Sequence, residues 1–117
     1  MSEVDFERWH PLSGLTVKDL PVSNTSGFVY ILRKSGTKEI LYVGSTENLL
    51  RRIFGNYLGG VGGETTQRIH KLLFEEGAIA DTEIAWKQTL NHKLEEKRLR
   101  HSFYKAKGRL PLWNRQM

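Results

Sequence analysis

The chain has 117 residues, with 18 Lys and Arg against 13 Asp and Glu, no cysteine, and a formal net charge of +5. That length suits one domain with one modest core, and the lack of cysteine excludes disulfides and thiolate-held zinc. The basic balance favours a polyanionic partner, nucleic acid foremost. No apolar run approaches the ~20 residues of a membrane span. The N-terminus carries Glu3, Asp5 and Glu7 and no apolar segment of the signal-peptide kind, so the expected location is cytoplasmic, with no membrane partner.

Residues 1–26 hold Trp9, Pro11, Gly14 and Pro21 without periodicity. They read as an N-terminal arm with a short turn near Thr16 to Leu20. Its Phe6, Trp9, Leu12 and Leu15 are available to pack on the domain that follows, residues 27–117. Phe28 to Arg33 predicts a first strand, Ser35-Gly36-Thr37-Lys38 a hairpin turn, and Ile40 to Gly44 a second strand rich in aromatic and β-branched residues. Alternate strand residues share a face, which places Tyr30 with Phe28 and Leu32, and Tyr42 with Ile40. Thr46 is expected to cap a helix, whose Leu50, Ile53, Phe54, Tyr57 and Leu58 fall at helical spacing. Gly59-Gly60-Val61-Gly62-Gly63 stops that helix and reads as a flexible connection. No Gly-Lys-Ser/Thr follows it, which excludes a P-loop.

A second helix is expected from about Thr65 to Glu76, burying Ile69, Leu72 and Leu73 and ended by Gly77. A third strand is expected from Ile79 to Lys87, with Ile84 and Trp86 on one face. A third helix runs from Leu90 to Lys107, ended by Gly108, and Leu110 to Asn114 form an extended tail. The order ββααβα predicts an α+β fold, a small three-stranded sheet flanked by helices.

Two strands, each with one tyrosine, are followed at once by a helix that opens on Arg51 and Arg52. The ordered set Gly27-Phe28-Val29-Tyr30, Tyr42-Val43-Gly44 and Arg52, eight residues past Gly44, resembles the GIY-YIG nuclease family over about residues 27–114. Phe-Val stands where the family often has one hydrophobic residue. The resemblance implies a metal-dependent endonuclease acting on DNA. Phosphodiester hydrolysis needs an activated nucleophile and neutralised charge on phosphorus and on the leaving oxygen. Arg52 matches the family's catalytic arginine, and its planar fork suits phosphate oxygens. Arg51 reads as a backbone-phosphate or surface contact. Tyr30 is expected as the base or water-orienting group, with its pKa lowered by nearby cations, and Tyr42 as its assistant. The family has a histidine or tyrosine four residues after the arginine. Here that position is Asn56, a poor base, which moves the base role onto Tyr30. Tyr57 next to it falls in the apolar stripe and reads as core.

The resemblance also implies a metal-binding glutamate on the last helix, Glu95 or Glu96. Leu99 and Phe103 share a helix side with Glu96, which selects Glu96. One carboxylate with waters and phosphate oxygens suits Mg²⁺, or Mn²⁺ in its place. Asn114 in Pro111-Leu112-Trp113-Asn114 matches the family's closing asparagine, as a loop hydrogen-bonder or a brace for the site. Arg68 near the start of the second helix, and Lys97 and Arg100 in the basic C-terminal quarter, are expected to touch the nucleic-acid backbone. Specificity would come from loops, the arm, a homodimer or a partner protein. Two other readings stand beside this one: a nucleic-acid-binding module with little or no catalysis, sustained by Asn56, and a nuclease for structured RNA.

Overall fold

The computed structural model describes Phe6, 8–21 and 27–115; the rest of the expected arm, 1–5, 7 and 22–26, lies outside the described residues, as do 116–117. Antiparallel pairing builds one four-stranded sheet in the order β1-β4-β2-β3. Its strands are β1 (His10–Pro11), β2 (Gly27–Lys34), β3 (Ile40–Thr46) and β4 (Thr82–Thr89). The expected three strands become four because His10 and Pro11 pair with Ile84 and Glu83. A two-residue strand has no alternation to read, and its proline is confined to a sheet edge, where it sits. β4 starts later than expected: Ala78–Asp81 wind a 3-10 turn, and the Ala78 carbonyl accepts a 2.7 Å hydrogen bond from the Thr82 hydroxyl.

β2 is buried on both faces from Gly27 to Leu32. One face carries Phe28, Tyr30, Leu32 and Ile84 into a core shared with Leu12, Leu15, Ile53, Ile69 and Leu73. The other carries Val29 and Ile31 against Ile40, Val43, Leu99 and Phe103, with Phe6 and Trp9 at its margin. Phe6, Trp9, Leu12 and Leu15 of the arm thus do pack on the domain.

The β2–β3 hairpin departs from simple alternation. Leu32 pairs with Tyr42 and Arg33 with Ile40, which leaves Leu41 as an extra residue, a β-bulge. The bulge puts Tyr42 and Ile40 on opposite faces, correcting the expectation that they share one. Ile40 joins Val29 and Ile31, and Tyr42 turns to the Tyr30 side.

Thr46 ends β3 instead of capping a helix; its hydroxyl accepts the Asn48 N–H at 3.0 Å. Asn48 is the cap, with Oδ1 taking the Arg51 N–H at 3.0 Å. After one α-type turn the helix widens into a π-helix, Arg51–Tyr57, seen in the bond from Leu58 N–H to the carbonyl of Ile53, five residues back, at 2.8 Å. The glycine run after it is pinned: Asn56 Nδ2 donates to the Val61 carbonyl and Gln67 Nε2 to that of Gly60, each at 2.6 Å. Helix α1 (Glu64–Phe74) buries Ile69 and Leu73, with Leu72 half-buried.

Helix α2 (His92–Lys107) starts where Asn91 Oδ1 caps the Leu94 N–H and ends at Gly108, φ +74°. It buries only Leu99 and Phe103. At about 1.5–3 kcal/mol for each such side chain, this anchoring is modest, so polar ties to β3 share in holding it. No helix among the described residues is long and apolar enough to cross a membrane.

β3 is an edge strand, and the tail covers part of its open side. Trp113 N–H donates to the Leu41 carbonyl at 2.7 Å. Asn114 works as a one-residue strand: Oδ1 accepts the Val43 N–H at 2.9 Å and Nδ2 donates to the Val43 carbonyl at 3.1 Å. Asn114→Ala leaves both Val43 groups unpaired, for an expected loss of about 1–3 kcal/mol in urea unfolding. Hydrogen exchange at the Val43 amide should accelerate with it. An unchanged Val43 amide would show that the tail merely lies on the strand.

Candidate active site

Tyr30, Tyr42 and Tyr57 close a triangle. Ring centroids are 6.2 Å apart for Tyr30–Tyr42, 6.1 Å for Tyr30–Tyr57 and 6.2 Å for Tyr42–Tyr57. The Tyr30 and Tyr57 hydroxyls meet at 2.5 Å, and Tyr30 is 1% exposed. Gly44 faces Tyr30 across the hairpin. A Cβ there would stand 2.5 Å from the Tyr30 hydroxyl and 2.7 Å from the Tyr42 ring, so only glycine leaves room for both rings. Gly27, at the start of the first motif, is fixed by sterics too: a Cβ would lie 2.1 Å from His92 Nδ1 at the start of α2.

Tyr57 reaches this cluster through the π register. In a helix bonded five residues back, the residue five along lies over its partner, so Tyr57 overlies Arg52. Tyr57 lies in hydrogen-bonding reach of both Arg52 and Tyr42. The residue in reach of Arg52 is Tyr57, one place after Asn56, while Asn56 is turned to the glycine loop. Tyr57 is core, as its stripe position implied, and it belongs to the site as well. The signal in the sequence was a tyrosine one place late in a helix interrupted by Gly55.

Burial pushes the Tyr30 phenol well above the ordinary tyrosine range; Tyr57 and Tyr42 add to the rise, and Arg52 only partly offsets it. This reverses the lowered pKa expected for Tyr30. Burial likewise drives Tyr57 up. At Arg52 burial pulls down, and the phenolic oxygens of Tyr30, Tyr57 and Tyr42 outweigh it, leaving the guanidinium firmly charged. Its Nε is buried without a hydrogen-bond partner among the described residues.

Glu96 sits across the sheet from the phenols, where Leu99 and Phe103 hold α2 against β3. Its Oε1 accepts from the Ser45 hydroxyl and its Oε2 from Arg100 Nη2. Its side chain is 17% exposed, whereas that of Glu95 is 31% exposed and is 3.9 Å from Arg98. Glu96 is therefore the one that meets the sheet. Arg68 and Arg100 open with Tyr42 into one cleft. Arg51 and Lys97 are exposed, and Asn114 is buried as a brace on Val43. No three His, Asp or Glu side chains among the described residues converge to hold a metal.

Residues 26–98 match the family model described as the GIY-YIG catalytic domain. No curated protein and no solved structure gives a significant match.

The Tyr57 hydroxyl is the hydrogen-bond partner of the buried Tyr30 hydroxyl. Tyr57→Phe should cost about 1–3 kcal/mol in urea unfolding, the penalty for a stranded buried hydroxyl. The double variant Tyr30→Phe/Tyr57→Phe should cost less than the sum of the two single changes. Additive losses would show that the hydroxyls share no bond.

Both phenols are held above their ordinary value of 10.0 in the folded protein. As pH rises past that value the unfolded chain loses these protons first. Stability fully present below pH ~10 is therefore lost above it, by about 1.4 kcal/mol per pH unit for each tyrosine. Urea midpoints across pH 9–11 check this, and the double variant should show a flatter decline.

Proposed function

The chain belongs to the GIY-YIG nuclease family, and from that premise we propose that it is an endonuclease hydrolysing DNA phosphodiester bonds with Mg²⁺ or Mn²⁺, working in the cytoplasm. The observation that carries this reading is the charged Arg52 seated against three mutually packed phenols, with a buried Nε that has no partner among the described residues. A planar guanidinium with donors to spare is suited to the oxygens of a phosphate.

Burial sets the division of labour among the phenols. Tyr30 and Tyr57 are out of reach of solvent water, so they position: their hydrogen-bonded pair fixes the Tyr42 ring and the Arg52 side chain. Tyr42 lines the cleft; its hydroxyl accepts a hydrogen bond from the attacking water and aims the oxygen at phosphorus. Arg52 takes the non-bridging oxygens as their charge grows; the bond from the water oxygen to phosphorus forms as the bond to the 3′ oxygen breaks, and the proton the water sheds ends, through solvent, on that leaving oxygen. The water-orienting place expected at Tyr30 thus moves to Tyr42.

Glu96 fits a divalent ion. It is a half-buried carboxylate whose neighbours are a hydroxyl and a guanidinium, and Mg²⁺ is commonly held by one or two carboxylates while keeping several waters. Arg100 would have to share or yield Oε2. A bound ion supplies Lewis-acid charge for the phosphate and the leaving oxygen. The binding-module reading rested on Asn56; Tyr57 in reach of Arg52 favours the enzyme, and plasmid nicking separates the two.

Plasmid nicking in Mg²⁺ against EDTA tests the reading. Arg52→Lys should lose ~10²–10³ in rate, because lysine keeps the charge and lacks the fork. Glu96→Ala should abolish metal-supported cleavage and keep or strengthen DNA binding, while Glu95→Ala stays active. No cutting of any DNA form alongside measurable binding would favour the module. Cutting of structured RNA alone would move the substrate to RNA.

A further inference from the structure

The widened end of the π-helix diverts the bond that the Tyr57 carbonyl would take in a regular helix. In an α-helix the Val61 N–H would bond to that carbonyl, four residues back. Here Val61 N–H turns to the Gly55 carbonyl at 3.4 Å, Gly60 N–H takes that of Asn56 at 2.7 Å, and Leu58 N–H makes the five-back bond to Ile53. The last carbonyls of a helix need partners from outside it. That of Tyr57 finds one in a side chain: His70 of α1 meets it through Nδ1 at 2.8 Å. A carbonyl only accepts, so Nδ1 carries the proton and donates.

The ring is steadied on two sides. It packs on Phe74, one turn further along α1, with centroids 4.8 Å apart. Its Nε2 lies against Gly60, where a Cβ would stand 2.9 Å away. Gln67, three residues before His70 and on the same side of α1, donates to the Gly60 carbonyl at 2.6 Å. One side of α1 thus grips the end of the π-helix and the loop beyond it. What it holds is the backbone of Tyr57, one corner of the phenol triangle.

Two registers compete at this place. Bonding four back throughout would bring residue 56 over Arg52 and use the Tyr57 carbonyl within the helix. Bonding five back brings Tyr57 into reach of Arg52 and releases that carbonyl. The His70 donor compensates only the second. We propose that His70 selects the π register by donating to the Tyr57 carbonyl, seats Tyr57 against Tyr30 and Arg52, and so acts as a positioning residue for cleavage. The inference rests on the nuclease reading for its effect on rate, and on the fold alone for its effect on Tyr57.

Two substitutions separate the donor from the ring. His70→Phe keeps an aromatic ring beside Phe74 and removes the donor. His70→Asn removes the ring and puts an amide N–H at the same reach from Cβ as Nδ1. Tyrosine ionisation, followed by ultraviolet absorbance with no substrate present, reads whether Tyr57 is seated, because burial holds its phenol above the ordinary value of 10.0. His70→Phe should show one more phenol ionising near pH ~10 than the wild type, and His70→Asn should match the wild type. In single-turnover cleavage at saturating DNA, His70→Phe should be slower by about 10²-fold, as expected when a catalytic group moves by an ångström. Its DNA affinity should be kept, and His70→Asn should recover most of the lost rate.

A His70→Phe protein with wild-type ionisation and rate would overturn the proposal. So would equal losses in the two variants, which would trace to the packing of the ring on Phe74 and not to the donor. A folded His70→Asn protein whose Tyr57 ionises early would overturn it whatever His70→Phe does. A wild-type protein that cuts no DNA would remove the reaction, while the ionisation pattern still decided the register.

Discussion

The contact between the Tyr30 and Tyr57 hydroxyls, 2.5 Å long and closed off from water, is the constraint on which the site depends. Each hydroxyl buried alone would cost about 1–3 kcal/mol. Facing one another, they satisfy that need with a single bond, but only if both rings are placed to a fraction of an ångström. Three local departures from regular structure provide the placement. The bulge at Leu41 turns Tyr42 to the tyrosine face. Gly44 leaves the space in which the Tyr30 and Tyr42 rings meet. The π register carries Tyr57 over Arg52. Each departure spoils an ideal element, and each is kept where a regular strand or helix would misplace a site group.

Arg52 completes the arrangement. A cation at the edge of an apolar core is costly unless its surroundings answer its charge. The answer here comes from phenolic oxygens and not from a carboxylate. A carboxylate partner would occupy the guanidinium and neutralise it. Phenols polarise toward it and leave its charge available to an anionic ligand. The raised pKa values of Tyr30 and Tyr57 follow from the same burial, so these residues remain neutral across the physiological range.

How much of this was legible in the sequence varies by element. The two long hairpin strands, the pairing of tyrosines with arginine, and the Glu96 side of α2 all follow from spacing, because alternation and helical period are what short-range pattern records. β1 was not legible, since two residues carry no period. The bulge was not, because nothing in Ile40-Leu41-Tyr42 distinguishes the extra residue from a paired one; counting by twos put Tyr42 with Ile40. The same limit explains Asn56. The family's spacing lands on residue 56, whereas the π register brings Tyr57 into reach of Arg52. In both places one residue changes the face.

The sheet also fixes where a reaction can take place. The phenols and Arg52 lie on one face, while Ser45 and Glu96 belong to the other, with α2. No ligand can touch both sets through the sheet. They come together only around an edge, and β3 is the edge strand on that side. The tail already covers that edge at Leu41 and Val43, and past it Gly44 and Thr46 are buried while Ser45 is half-buried. The Tyr30 and Tyr42 rings fill the space over Gly44, and Ser45 is bonded to Glu96. The second motif therefore serves both faces: Tyr42 supplies a phenol to one, and Ser45, just past it, meets Glu96 on the other. Asn114 braces the same edge from outside, through its two bonds to Val43.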